Sequence, residues 1–123
     1  MDKPHKSLDA WKLAMELVGR VYTLTARFPI EERYGLTNQM RRAAVSVPCN
    51  IAEGAARQTR KEFVNFLHIA QGSLSELDTL SEVAVRLKYV NIQDHEELDV
   101  LMERLDKTLS GLIRQQRKLV SSQ

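Results

Sequence analysis

The sequence predicts an all-α fold, an antiparallel up-down-up-down four-helix bundle. Three observations predict it. Apolar residues recur at steps of three and four through four long segments, which is the period of a helix and not of a strand. Short connections join these segments, and each segment of some 20 residues would span about 30 Å, enough to lie along a neighbour. Three prolines and five glycines in 123 residues leave little room for a loop-rich fold. The chain is 43% apolar and 28% charged, which suits one soluble domain with a core. Residues 1–7 read as a flexible tail and 8–120 as the bundle, with helices at about 8–28, 37–56, 60–88 and 94–119.

In the first helix Ser7 is placed to cap and Asp9 to favour the positive end of the helix dipole. Trp11, Ala14, Met15, Val18, Val21, Tyr22, Thr25 and Phe28 make one stripe, and Pro29 ends it. Leu13, Leu17 and Leu24 lie off that stripe and point to more than one neighbouring helix, or to a subunit interface. Thr37 is the expected cap of the second helix.

The second helix carries Met40, Ala43, Ala44, Val47, Ile51 and Ala55 on one side and Arg42, Ser46, Asn50, Glu53 and Arg57 on another. Pro48 has no N–H, so the Ala44 carbonyl loses its helical partner and a bend is expected. A helix that only filled a core needs neither the proline nor the polar row. The second side therefore reads as a packing or binding surface.

Thr59-Arg60-Lys61-Glu62 is a capping-box pattern. The third helix follows, with a face of Phe63, Phe66, Leu67, Ala70, Leu74, Leu77, Ser81, Ala84 and Leu87. Gly72 inside it costs about 1 kcal/mol relative to alanine, which is reasonable where another helix passes close. Asp94, Glu96, Glu97 and Asp99 crowd the start of the fourth helix. Leu98, Leu101, Met102, Leu105, Leu109, Leu112, Ile113 and Leu119 give it the clearest heptad-like stripe in the chain.

The net charge is +2, too small to argue for nucleic-acid binding alone. It is uneven: residues 1–61 hold 11 Lys/Arg against 6 Asp/Glu, net +5, and residues 62–123 hold 7 against 10, net −3. One half can attract the other, within a chain or between copies. Arg41, Arg42, Arg57, Arg60 and Lys61 form the basic set that would meet phosphate. No aromatic residue is interleaved with them, so base stacking lacks support there. The alternative role for these cations is pairing with Glu31, Glu32, Glu53 and Glu62.

Little points to catalysis. His5, His68 and His95 lack the spacing of a helical metal site, and no paired Glu-x-x-His occurs, so no metal or other cofactor is expected. The lone Cys49 reads as a small packed residue and fits a reducing compartment. Ser46 reads as bonded to backbone rather than as a nucleophile. Glu53 reads first as a helix partner of Arg57, or as part of a network with Asn50. Neither a secretory signal nor a membrane span is evident, so a cytoplasmic, non-enzymatic protein without a membrane partner is expected.

The run Glu32-Arg33-Tyr34-Gly35-Leu36-Thr37-Asn38-Gln39-Met40-Arg41-Arg42-Ala43-Ala44-Val45-Ser46-Val47-Pro48, followed by Asn50-Ile51-Ala52-Glu53-Gly54, resembles the family of 23S ribosomal RNA intervening-sequence proteins. Lys61-Glu62-Phe63, Phe66-Leu67, Ile69-Ala70, Gly72-Ser73-Leu74 and Glu76-Leu77 match it too, as does the early pattern of Leu8, Trp11, Ala14, Leu17 and Tyr22. The likeness covers roughly residues 8–115. It implies a left-handed antiparallel four-helix bundle in a homopentameric ring, from bacteria, with no catalytic residues. It also implies relatedness to the accessory variability protein of diversity-generating retroelements, a pentameric basic bundle that binds nucleic acid and a reverse transcriptase. By that analogy the partners are further copies of the chain, ribosomal or other RNA, and a reverse transcriptase. Arg41, Arg42, Ser46, Asn50, Glu53 and Gly54 carry the family signature, as subunit or RNA contacts. Lys88 stands where a glycine is common, so the third helix is expected to end differently. The two readings are an oligomeric scaffold or adaptor, and an accessory protein that binds RNA through the basic set.

Overall fold

The computed structural model describes residues 3–121; Met1, Asp2, Ser122 and Gln123 lie outside the described residues. It is a bundle of four helices, with no strand among the described residues. These are α1 (Asp9–Thr25), α2 (Leu36–Ala55), α3 (Arg60–Arg86) and α4 (Ile92–Ser121). Short 3-10 turns at Pro4–Ser7 and Ile30–Glu32 precede α1 and α2.

The helix ends show which local signals decide. Thr59 caps α3 as its sequence predicts: its hydroxyl oxygen accepts from the Glu62 N–H at 3.1 Å, and the hydroxyl donates to Glu62 Oε1 at 3.0 Å. Ser7 does not cap α1. Its hydroxyl turns back to the Pro4 carbonyl at 3.2 Å, and Leu8 takes the N-cap position with no side-chain bond. Thr37 does not cap α2 either, because it is already inside the helix and buried. The 3-10 turn brings Glu32 under the helix start instead, where Oε1 accepts from the Leu36 N–H at 3.1 Å. At α4, Asn91 Oδ1 accepts from the Asp94 N–H at 2.8 Å, so the helix begins two residues earlier than the acidic cluster implies.

The end of α3 is a Schellman closure. The Tyr89 N–H reaches the Ala84 carbonyl and the Lys88 N–H reaches that of Val85, both at 2.9 Å. The closure needs a left-handed residue, and Lys88 supplies it at φ 65°. The helix therefore ends as a glycine there would end it, with a lysine in the glycine's conformation.

Packing redistributes the expected stripes. On α1 the core side is Ala10, Leu13, Ala14, Leu17, Val21 and Leu24, so the supposed second stripe of leucines is the main core contact. Met15 and Tyr22, assigned to the first stripe, stay 46% and 42% exposed. The apolar arc of this helix is simply wider than its two neighbouring helices, α2 and α4, cover. On α2 the expected core residues Met40, Ala43, Ala44, Val47 and Ile51 are buried, and the helix continues through Pro48. On α4, Leu98, Leu101, Met102, Leu105, Leu109 and Ile113 are buried as read, while Leu119 is exposed. Each fully buried leucine or isoleucine contributes about 1.5–3 kcal/mol.

The close helix approach expected at Gly72 is found at Gly54 instead. A methyl group on Gly54 would sit 2.7 Å from Phe66 Cβ and 2.9 Å from Phe63 Cδ1, so this is where α2 and α3 touch most closely. Around Gly72 no atom lies within 4 Å of that position; no helix of the same chain passes there.

Between α3 and α4 the bonded pairs converge toward their turn: Arg60 to Gln116 (3.1 Å), Gln71 to Ser110 (2.9 Å), then Ser81 to His95 (3.1 Å). The α1–α2 and α3–α4 turns meet. Tyr89 donates its hydroxyl to Glu32 Oε2 at 2.9 Å, its ring lies 5.4 Å from that of Phe28, and Arg27 pairs with Asp94 at 3.0 Å.

Candidate interaction surface

The polar row of α2 runs beside α3. Ser46 and Ser73 share a hydrogen bond of 2.8 Å across the two helices. The Asn50 amide donates to the Ser46 carbonyl at 2.8 Å and to its hydroxyl oxygen at 3.0 Å. One turn on, Glu53 holds Arg57 at 2.8 Å, and the Arg57 guanidinium lies 4.7 Å over the Phe66 ring. Gly54 opens the space that lets the two helices come so close. Of the signature residues, Ser46 and Gly54 thus meet α3 directly, while Asn50 holds Ser46 and Glu53 holds the Arg57 that lies over Phe66. Ser46 also lines open grooves on both sides of Arg42: one with Gln39, Ala43 and Glu76, the other with Tyr22, Asn38, Arg41 and Val45. The second groove is about 510 Å³.

The five basic residues do not form one patch. Arg41 is half-buried: its Nε donates to Thr25 Oγ1 at 2.9 Å and its guanidinium lies 4.5 Å over Tyr22. Thr25 passes its own proton to the Val21 carbonyl at 2.7 Å, so this buried chain of bonds is complete. Arg57 is held by Glu53, and Arg60 donates to Gln116. Arg42 and Lys61 remain exposed, with no ion-pair partner among the described residues. Arg42 lies in the first half of α2 and Lys61 in the first turn of α3, and the stretch of helix from Arg42 to Ala55 alone covers about 20 Å.

Apolar surface collects on the outside of the first three helices. Met15 and Tyr22 on α1, Val45 on α2, and Ile69 and Val83 on α3 are each 36–51% exposed. Cys49, expected to be a packed residue, is exposed in the same region, one turn after Val45. Its helix position turns it away from the core that Val47 and Ile51 face. Gly72, with empty space over it, follows Ile69 by three residues on the same side of α3.

The opposite side is acidic. Asp78, Asp99, Glu103 and Asp106 line a groove between α3 and α4 with Leu74, Ser75 and Met102. Partial burial, then the charges of Asp99 and Glu82, raise the Asp78 carboxyl above its ordinary value, and His95 works against the rise. His95 is itself engaged by buried Ser81 at 3.1 Å and by Glu82 at 3.2 Å. His68 accepts from Arg117 at 2.9 Å, and the His5 ring packs edge-on to Trp11 at 5.2 Å. Among the described residues, no three of His, Cys, Asp and Glu gather as a metal-holding group. No helix of the described residues is long and apolar enough to cross a membrane.

The fold and this surface define a four-helix bundle with a signature polar row locked between α2 and α3 and spare apolar surface outside it. The chain belongs to the 23S rRNA-intervening sequence protein family, whose model matches residues 6–111. It is similar in fold to a solved protein of unknown function from the S23 ribosomal protein family of Bacteroides thetaiotaomicron. The two share 24% identity at a TM-score of 0.79, over 85% of this chain and 95% of that one. No curated protein matches the chain.

Proposed function

We propose that this protein is a non-enzymatic scaffold in the cytoplasm that works as a ring of its own copies, five by family resemblance, each an antiparallel up-down-up-down bundle. The helix order is supported by the α3–α4 pairs that converge on their turn. The observation that carries the assembly is the spare apolar surface of Met15, Tyr22, Val45, Ile69 and Val83. It surrounds an unpaired Arg42, while the acidic groove of Asp78, Asp99, Glu103 and Asp106 lies on the other side of the molecule. Unlike surfaces on opposite sides make a head-to-tail contact, and such contacts form a ring where the rotation between copies closes. Arg42 then meets the acidic groove of the next copy, where opposite charges fix the register.

Native mass spectrometry at micromolar concentration reads the assembly directly. Five copies are expected, and a monomer overturns the proposal. Arg42→Glu should dissociate the ring, and reversing Asp99 and Glu103 to arginine in the same chain should restore it. Cys49 is a built-in reporter: a head-to-tail ring keeps like residues apart, so a short bis-maleimide should not join Cys49 to Cys49.

A second reading, RNA contact, is favoured by exposed Arg42 and Lys61 alone. Arg41, Arg57 and Arg60 are occupied within the chain. Two phosphate contacts per chain give a salt slope of about −1 to −2 in log K against log salt. A steeper slope for one chain would return the full basic set to the interface. A reverse transcriptase as client would belong with the scaffold reading.

A further inference from the structure

A net charge near zero conceals a polarity along the bundle. The ends of α2 and α4 gather with the start of α3: Gly54 lies against Phe63 and Phe66, Arg60 donates to Gln116 at 3.1 Å, and Arg117 donates to His68 at 2.9 Å. With each helix divided at its midpoint, this half of the molecule is residues 3–16, 46–71 and 107–121. It holds 10 Lys/Arg against 4 Asp/Glu, net +6. The half with the α1–α2 and α3–α4 turns, residues 17–45 and 72–106, holds 8 against 11, net −3. Asp2, outside the described residues, is the remaining acid. The basic half is not the basic stretch of the sequence, because the tail of α4 joins it from the acidic stretch.

Within this half the excess lies where α4 borders α3. From Lys107 to Ser121, α4 has four Lys/Arg and no carboxylate. Lys107 pairs with Glu103 at 3.5 Å, below this region. Arg114 and Lys118 are one turn apart on the same side of the helix, and Arg117 lies toward α3, where it meets His68. Lys61 stands in the first turn of α3, and these four cations are all exposed. Three carboxylates of this half lie on other helices: Asp9 and Glu16 on α1, and Glu53 on α2 against Arg57. Glu62, at the Thr59 cap of α3, is one acid set against the four. The surface is open, since none of the grooves is lined by these cations.

We infer that this end of the α3–α4 side binds the phosphate backbone of a nucleic-acid duplex through Lys61, Arg114, Arg117 and Lys118. The surface depends on the helix order proposed above but not on the ring, and it shares only Lys61 with the exposed pair of the RNA reading. A duplex carries one charge per about 1.7 Å of axis, so a short stretch of it meets four cations at once. An extended acidic peptide has at most one carboxylate per about 3.3 Å, and it needs a groove or a sheet edge to lie in. A single strand needs aromatic rings on which to stack its bases, and Phe63 and Phe66 are turned against α2. A bilayer needs apolar side chains to enter it, and beside the α4 cations these are Leu119 and Val120 of one turn. Contact with the backbone alone carries charge and spacing and reads no bases.

The test is fluorescence anisotropy of the whole protein with labelled RNA and DNA duplexes of about 20 base pairs, from about 50 to 300 mM salt. Four contacts predict a slope of about −3.6 or steeper in log K against log salt, where two contacts at Arg42 and Lys61 predict about −1 to −2. Both duplexes should bind within about threefold of each other, since phosphate is common to them. Arg114→Gln with Lys118→Gln should flatten the slope by about 2 and weaken binding about tenfold, with the melting temperature and the native mass unchanged. Arg42→Gln should leave binding as it is. The proposal is overturned if the slope is no steeper than about −2, if the double variant binds as the wild type does, or if Arg42→Gln weakens binding as much. It is likewise overturned if the double variant changes the native mass, which makes this surface a contact between copies, or if the protein binds phosphatidylserine vesicles and not the duplexes. A monomer in native mass spectrometry would sink the ring and leave this prediction standing.

Discussion

At the scale of single residues, two positions hold the backbone arrangement and give opposite predictions. Lys88 sits at φ 65° in the Schellman closure of α3. A side chain in that conformation costs about 1–2 kcal/mol, and part of the gain from glycine is returned to the freer unfolded chain. Lys88→Gly should therefore stabilise by about 1 kcal/mol, read as a higher urea midpoint with an unchanged slope. Gly54→Ala tests the reverse. Alanine adds about 1 kcal/mol of helix preference, but its methyl would lie 2.7 Å from Phe66 Cβ and 3.3 Å from the Phe63 carbonyl oxygen. Backbone and a Cβ cannot step aside as a flexible side-chain end can. Overpacking of this kind costs about 1–3 kcal/mol, so after the gain in helix preference a net loss of up to about 2 kcal/mol is expected in the same measurement. The sequence displays both residues, but their roles depend on which helix passes which turn. Gly54 and Gly72 look alike in sequence, and only packing shows that one is crowded and the other open.

Among the elements, what could be read early was what is decided locally. The Thr59 cap and the α4 stripe from Leu98 to Leu109 need only neighbours one turn away and stand as read, while Leu112 is half-buried and Leu119 exposed. The start of α2 could not be read that way, because its capping group, Glu32, belongs to the preceding turn and is also held by Tyr89 from the far end of α3. The surroundings of the candidate basic residues are hidden for a similar reason. Three of the five basic residues, Arg41, Arg57 and Arg60, are engaged by Thr25, Glu53 and Gln116 on other turns or helices, while Arg42 and Lys61 stay exposed. The α3–α4 side was missed entirely, since its carboxylates are distant in sequence and meet only when the helices pair. Its electrostatics give a prediction. The Asp78 carboxyl titrates above its ordinary value, so the folded state holds that proton more tightly than the unfolded chain does. Stability from this group is present when Asp78 is protonated and is lost as pH rises through its folded pKa. Asp78→Asn removes the repulsion by Asp99 and Glu82 at neutral pH. It should stabilise by a few tenths of a kcal/mol at pH 7, about the scale of exposed like-charge neighbours, and the advantage should vanish at pH values below the ordinary carboxylate range. Thermal melts of both proteins across acidic and neutral pH check it.

For the whole molecule, the question is what holds the α1–α2 half to the α3–α4 half at the end where both chain reversals lie. Helices α1 and α4 share the least contact of the neighbouring pairs, so the polar tie between the turns matters more there than a surface hydrogen bond ordinarily does. Glu32 is its centre, accepting from the Leu36 N–H with one oxygen and from the Tyr89 hydroxyl with the other. That bond requires a protonated phenol. The hydrogen bond to Glu32, then desolvation and the charges of Glu32 and Glu31, raise the Tyr89 pKa above its ordinary value of 10.0. The sign follows: the native state keeps the phenolic proton longer than the unfolded chain. The tie contributes in full below pH 10 and is lost as pH climbs through the raised value. Tyr89→Phe keeps the ring against Phe28 and deletes only the hydroxyl. It should lower the urea midpoint at neutral pH, and the gap between the two proteins should close under alkaline conditions as the wild type loses the same bond. If the gap instead stays constant above the ordinary tyrosine range, the two halves are joined by packing alone and the Glu32 carboxylate serves only the start of α2.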